Sequence, residues 1–177
     1  SELKYQRGGI FGEKYIDAFL EAEGYTIFHP QKHSFQEQLA AYKSADYIIS
    51  PDGSPLHMAA LVVRPGTKIA VISRRPGISE MFQAQFRTFC ETEILPVDVV
   101  RAYWNPTNRK KLDRLTIAEL NFGLLRESLM KSKMIAGSQP WPELKEGQRA
   151  RILKRLEKQQ KTYFKIFCFI DYAAIYF

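Results

Sequence analysis

Apolar positions recur along this chain in two registers, one helical and one extended, and the switches between them lay out a series of elements. Tyr15, Ile16, Phe19 and Leu20 share one face of a helix expected over residues 13–23, which Gly24 ends. The run Tyr25-Thr26-Ile27-Phe28-His29 follows as a strand closed by Pro30. Ser34 and Glu37 stand at capping-box spacing before a second helix with Phe35, Leu39 and Tyr42 as its apolar positions. That helix leads into a short β-rich run, Tyr47-Ile48-Ile49, which reaches Ser50 and the turn residues Pro51, Asp52 and Gly53. Ser54 then reads as an N-cap and Pro55 as the first helical residue.

Beyond a Pro65-Gly66 turn, residues 68–73 are apolar without alternation, the pattern of a strand buried on both faces of a parallel sheet. Ser79 is placed to cap a helix carrying Met81, Phe82, Phe86 and Phe89, and residues 97–103 read as the next strand. From Trp104 the pattern changes. Residues 105–109 read as a loop, and Thr116 with Glu119 form a second capping-box spacing before a helical face of Ile117, Leu120, Leu124 and Leu125. Residues 137–142 form a turn-rich linker, and 148–161 a very basic helix with Ile152, Leu153 and Leu156 on its apolar side. The apolar end, 164–177, is broken by Asp171 and reads as a buried strand or helix rather than a membrane anchor.

Strands and helices that alternate with short links predict an α/β fold. The expectation is a Rossmann-like parallel sheet with helices on both faces over residues 1–135, and a helical C-terminal extension over 136–177 packed on it. With 177 residues, 45% of them hydrophobic and 25% charged, the composition is that of a globular chain. The two cysteines, Cys90 and Cys168, lie far apart and without metal-ligand spacing, so neither a disulfide framework nor a zinc site is indicated. A cytoplasmic location is the expectation. The chain begins at Ser1, as if cut from something longer, initiator-methionine removal being the alternative.

A formal charge of +7 favours anionic partners without choosing among nucleotide phosphates, nucleic acid and membrane surfaces. The stretch 47–57 offers the most specific chemistry, because small molecules in open α/β sheets bind outside the carboxyl ends of the strands, where helix N-termini present free N–H groups. Gly53 gives room for close approach of a ligand, and Ser54 can donate to a phosphate oxygen. Asp52 would be repelled by a diphosphate, so it either binds a sugar or ribose hydroxyl or shapes the turn. His57 either reaches a phosphate or is satisfied within the core. Arg7 can clamp phosphate oxygens bidentately or be solvated. Arg64, Lys68, Arg74 and Arg75 surround strand ends, as a positive field or as solvated charges. His29 and His33 have no partner at useful spacing. The basic segment 149–155 reads as the exposed face of an amphipathic helix, with no nucleic-acid partner and at most peripheral membrane contact expected.

In their order, these motifs give the run 7–72 a resemblance to the C-terminal part of glycosyltransferase family 61. The resemblance is carried by Arg7 and Glu13, by Gly24-Tyr25 before a strand, and by Ser34-Phe35-Gln36-Glu37-Gln38 at a helix start. Ala45-Asp46, the Gly53 turn and Pro65-Gly66-Thr67 complete it. The resemblance implies one half of a GT-B fold and a donor-binding part of an inverting, metal-independent glycosyltransferase. Its donor would be a nucleotide sugar, bound as substrate with no further cofactor, and its acceptor a glycan in bacterial capsular or other cell-surface polysaccharide synthesis. It implies Arg7, Glu13, Ser50, Asp52, Gly53, Ser54 and His57 as donor-binding residues, and a catalytic base from an N-terminal domain that this chain lacks. In the family the central turn typically reads His-Gly-Ala, where this chain has Asp52-Gly53-Ser54. Relatives often carry Glu where this chain has Val71. The alternative reading is a non-catalytic nucleotide-sugar-binding or assembly module.

Overall fold

The computed structural model describes residues 8–106, 111–158 and 163–167, the last five and Lys158 as backbone only. At its centre is a three-stranded parallel sheet, β2 (Tyr47–Pro51), β3 (Lys68–Ile72) and β4 (Ile94–Val97), in that order. The crossovers carry α3 (Ser54–Ala59) and α4 (Ile78–Cys90), as parallel neighbours require. Alternate residues of these strands meet two different apolar layers. Ile48, Ile69, Val71 and Ile94 face Tyr42 of α2 (Phe35–Ser44), Leu56 and Ala59 of α3, and Phe82 and Phe86 of α4. Ile49, Ala70, Leu95, Ile72 and Val97 face Ile16 and Leu20 of α1 (Glu13–Ala22) and Phe122, Leu125 and Leu129 of α5 (Phe122–Lys131). Burial on both faces explains why residues 68–72 show no polar alternation.

A second sheet holds four strands in the order β1 (Gly9–Ile10), β6 (Ile117–Leu120), β5 (Val100–Pro106), β7 (Tyr163–Phe167). Only β1 and β6 are parallel; β5 runs antiparallel to both β6 and β7. The α/β class with a helix-covered parallel sheet is therefore present, but the single parallel sheet expected from sequence is not. The central order 2-3-4 follows the chain without the reversal that makes a Rossmann-type switch point. Nor is the C-terminal part purely helical, since β7 joins a sheet there.

Three differences from the sequence pattern have definite physical causes. Residues 25–29 join no sheet among the described residues: Tyr25 and Ile27 pack on one core and Phe28 on the other, so their alternation serves two apolar layers without a backbone ladder. Gly9 and Ile10, for which the apolar pattern predicts no strand, form β1 beside β6. A Cβ on Gly8 would lie 2.2 Å from the Thr116 carbonyl oxygen, so the chain passes there only as glycine. Thr116 does not open a helix. It precedes β6, its hydroxyl donates to Asn105 Oδ1 at 2.6 Å, and the helix starts at Asn121, whose side chain accepts from the Leu124 N–H at 2.9 Å.

Sequence and structure agree on α1, on the Ser34–Glu37 capping box (2.7 and 3.3 Å) and on the basic helix, α6 (Glu146–Lys158). The α4 cap falls on Gly77 rather than Ser79, and of the four apolar α4 residues Phe82 and Phe86 are buried while Met81 and Phe89 are exposed. On α6, Ile152, Leu153 and Leu156 pack on Phe11, Trp104 and Ile117, with the Phe11 and Trp104 rings stacked 5.2 Å apart. Arg149 turns inward to the buried carboxylate of Glu119, which also accepts from Trp104 Nε1 at 2.8 Å and lies 3.6 Å from Arg101. Residues 168–177, the rest of the apolar end, and Cys168 lie outside the described residues.

Removing Glu119 leaves Arg149 facing a dry strand, and loss of one partner of a buried pair costs about 3–5 kcal/mol. Glu119→Ala is expected to lower the unfolding free energy measured in urea by that amount and to open α6 to trypsin, read by limited proteolysis. A second expectation concerns Tyr25, which donates to the Met134 carbonyl at 2.5 Å. Burial first, then the charges of Tyr47 and Glu23, push its hydroxyl up from 10.0 to about 12. The folded form keeps this proton where the unfolded chain has lost it. The associated stability is complete below pH about 10 and disappears as pH rises towards about 12. Melting curves of Tyr25→Phe should fall less steeply than wild type across that window.

Candidate functional site

Pro51 and Ile72 are paired in register at the carboxyl ends of β2 and β3, so the two strands leave the sheet together. Asp52 and Arg74 follow them and meet. The Asp52 side chain is fully buried. Its Oδ1 accepts from the Arg74 backbone N–H at 2.6 Å and from Arg74 Nε at 3.1 Å; its Oδ2 accepts from Arg75 Nη2 at 3.1 Å. Arg74 Nε also donates to the Asp52 carbonyl at 2.9 Å, joined there by Arg74 Nη2. A carboxylate without water requires such compensation, and two guanidiniums supply it with one positive charge to spare. Of the two roles open to Asp52, the geometry gives it the shaping of the turn, because Arg74 and Arg75 take both oxygens.

Gly53 comes next, with φ 171° and ψ 174°, an extended backbone open to any residue. A Cβ there would meet only Pro55 Cδ at 3.6 Å and Arg74 Nη2 at 3.9 Å, so packing within the protein does not demand a glycine. Gly53 is the N-cap of α3, one residue earlier than the sequence pattern places it. Ser54 is the first helical residue, exposed and making no capping bond. The Ser50 hydroxyl donates to the Pro51 carbonyl at 2.9 Å. His57 points away along α3, with Nδ1 2.7 Å from Gln85 Oε1 and its ring 5.1 Å from that of Phe82, which ties it to α4.

The other sequence candidates fall elsewhere. Glu13 opens α1 behind β1, in the second sheet, and Arg7 lies outside the described residues. Four residues on from Glu13, the Asp17 carboxyl is raised above the ordinary range by burial first and the Glu13 charge second, against the lowering effect of His29. That setting escaped the sequence pattern because Asp17 sits on a helix face with no motif around it. Arg64 pairs with Asp46 at 2.8 Å on the exposed side of the sheet, away from the turn. Lys68 begins β3 and lies 5.1 Å from the ring centroid of Tyr47. Arg74 and Arg75 are the basic residues that the fold brings to the turn.

Two open concavities lie away from this edge. One, about 700 Å³, runs along the outer surface of α5 beside Leu124 and Met130. The other, about 410 Å³, is at the amino ends of β3 and β4, between Gly66 and Thr92. Both are lined by charged side chains, Arg126, Glu127 and Lys131 in the first and Lys68, Glu91 and Glu93 in the second, but neither lies at the carboxyl ends of the parallel strands, where the Asp52–Gly53 turn is the stronger site. Among the described residues no cluster of three or more His, Cys, Asp or Glu side chains is placed to hold a metal ion. No helix among them is long and apolar enough to cross a membrane.

The family model described as Glycosyltransferase 61 matches residues 3–70, from the segment before β1 into β3. Over this segment the chain is similar to glycosyltransferase family 61. No curated protein and no solved structure matches the chain. The family 61 match takes in Gly53 and Ser54 and ends just before Arg74 and Arg75, which the sequence pattern left as an undirected positive field. Their signal was present only as two adjacent arginines following an apolar strand. That they converge on Asp52 depends on the register of β2 against β3.

The Asp52 ion pairs are expected to hold the strand ends together. Asp52→Asn leaves two guanidiniums facing a neutral amide and should cost about 3–5 kcal/mol in urea unfolding, against well under 1 kcal/mol for Asp46→Asn at the exposed Arg64 pair.

Proposed function

We propose that this chain is the donor-binding part of a glycosyltransferase that moves a sugar from a nucleotide sugar to a glycan acceptor in cell-surface polysaccharide synthesis. The reading is carried by the family 61 match, whose central turn is the Gly53 turn at the carboxyl ends of paired parallel strands. Parallel strand ends are where open α/β sheets receive ligands. Gly53, Ser54 and Ser50 line the approach to the donor; Arg7, Glu13 and His57 complete the family's pattern, with the His57 ring turned to Gln85 and Phe82 of α4. Transfer is a direct displacement. An acceptor hydroxyl oxygen bonds to the anomeric carbon, the bond from that carbon to the donor phosphate breaks, and the nucleoside diphosphate leaves with the electron pair. The acceptor proton passes to a base, and the anomeric configuration inverts. Positive groups at the strand ends stabilise the charge that grows on the leaving group, so the reaction proceeds without a metal. A second α/β domain supplies the acceptor side, and the work is done in the cytoplasm at most peripherally to a membrane.

One observation favours a second reading, a binding or assembly module without catalysis. The β3 position at which relatives often carry Glu holds Val71, fully buried in the apolar layer beneath α3 and α4.

Thermal unfolding against a panel of nucleotides and nucleotide sugars tests the proposal. A ligand present at a hundred times its Kd stabilises by about 2.7 kcal/mol, roughly 5–10 °C for a chain of this size. One nucleoside diphosphate and its sugar are expected to give such a shift. Gly53→Val is expected to abolish it while moving the unliganded Tm by no more than about 2 °C, since a Cβ fits there. A panel in which nothing shifts the Tm would overturn the donor site; binding without sugar transfer by the longest available chain would select the second reading.

A further inference from the structure

Arg74 and Arg75 are adjacent in sequence but used differently. Arg74 spends Nε, Nη2 and its backbone N–H on Asp52, and its side chain is 13% exposed. Arg75 spends one N–H, from Nη2 to Asp52 Oδ2, and remains 30% exposed. Its Nε is buried and has no hydrogen-bond partner among the described residues. Asp52 neutralises one of the two cations and orients both. The other positive charge sits at the carboxyl edge of the parallel sheet with its guanidinium fork only partly used. The nearest acidic residue along the neighbouring strand end is Asp98, exposed and in no ion pair among the described residues.

We propose that Arg75, oriented by the buried Asp52 and backed by Arg74, is the cation that grips the diphosphate of the bound ligand at the Gly53 turn. The inference rests on the donor reading above for the ligand's identity, but its chemistry stands on the geometry. A guanidinium held by one edge presents its remaining N–H groups to a second anion without reorganising, and phosphate oxygens fit that fork bidentately. Nε is buried, so the N–H groups open to an incoming anion are those at the partly exposed guanidinium end, where the charge is already held in place by Asp52. Gly53, next in the chain to Asp52, adds no side chain to this edge, where a Cβ would lie 3.9 Å from Arg74 Nη2. These residues lie beyond the matched segment, so the grip is a property of this chain's own β3 end.

Inorganic pyrophosphate is the probe, titrated calorimetrically into the whole chain at low ionic strength, without metal. Saturable binding is expected, weakened at least tenfold in Arg75→Gln and unchanged in Arg64→Gln, a basic residue on the exposed side. Circular dichroism establishes that Arg75→Gln is folded. Should that variant fail to fold, Arg75→Lys takes its place, keeping the charge on Asp52 without the fork, and is expected to bind several-fold more weakly. No pyrophosphate binding by the wild-type chain, or equal binding by wild type and the Arg75 variant, would overturn the proposal. Pyrophosphate binding lost with Arg75, together with nucleoside diphosphates that bind no tighter than pyrophosphate, would leave the anion grip intact and sink the nucleotide-donor reading instead.

Discussion

A carboxylate sealed from water must meet cations or lose its charge, and this chain meets that constraint twice, once in each sheet. Asp52 at the end of β2 is held by Arg74 and Arg75, and Glu119 within β6 by Arg101 and Arg149. Each arrangement joins parts of the chain that apolar packing alone would leave less defined. The first fixes how β2 and β3 leave their sheet, which sets the position of Gly53. The second fixes where α6 lies on the mixed sheet. Hydrophobic burial supplies most of the driving force for the fold, but it is non-directional, and these carboxylates add direction to it.

The two ionic arrangements differ in what they leave over. Around Glu119 the network closes: Arg101 also binds Glu143 at 2.8 Å, and Glu143 accepts from the Phe122 N–H at 2.6 Å at the start of α5. Charge is returned to charge, and the result is structural. Around Asp52 no second carboxylate is brought in among the described residues, and one guanidinium keeps unspent donors at the sheet edge. An ionic cluster that does not balance internally at a strand's carboxyl end is poised for an outside anion. That contrast separates a latch from a site within one molecule.

Local chemistry was legible wherever the deciding partner lay within a few residues. The Ser34–Glu37 capping box, the amphipathic faces of α1 and α6, the unbroken apolar run of β3 and the Pro65-Gly66 turn all depend on neighbours three or four positions away, or on burial of both faces. The identical reasoning failed at Thr116 and Glu119. Their spacing fits a cap, but Glu119 finds Trp104 and Arg149 instead, and β5 offers residues 117–120 a ladder that a helix there would forgo. Likewise residues 25–29 have strand chemistry, and only the absence of a neighbouring strand decides against pairing.

The sequence by itself determined the central alternation of strands and helices, the position of the Gly53 turn between an apolar strand and a helix, and the similarity of residues 3–70 to family 61. Each follows from short-range periodicity, turn chemistry or the ordered spacing of motifs. Tertiary structure alone decided that the strands divide into two sheets, that Asp52 is buried against Arg74 and Arg75, that His57 turns to α4, and that Arg75 spends a single N–H on Asp52. These outcomes depend on which strands lie side by side and in what register. That is a property of distant residues competing for the same core, and no local pattern encodes it.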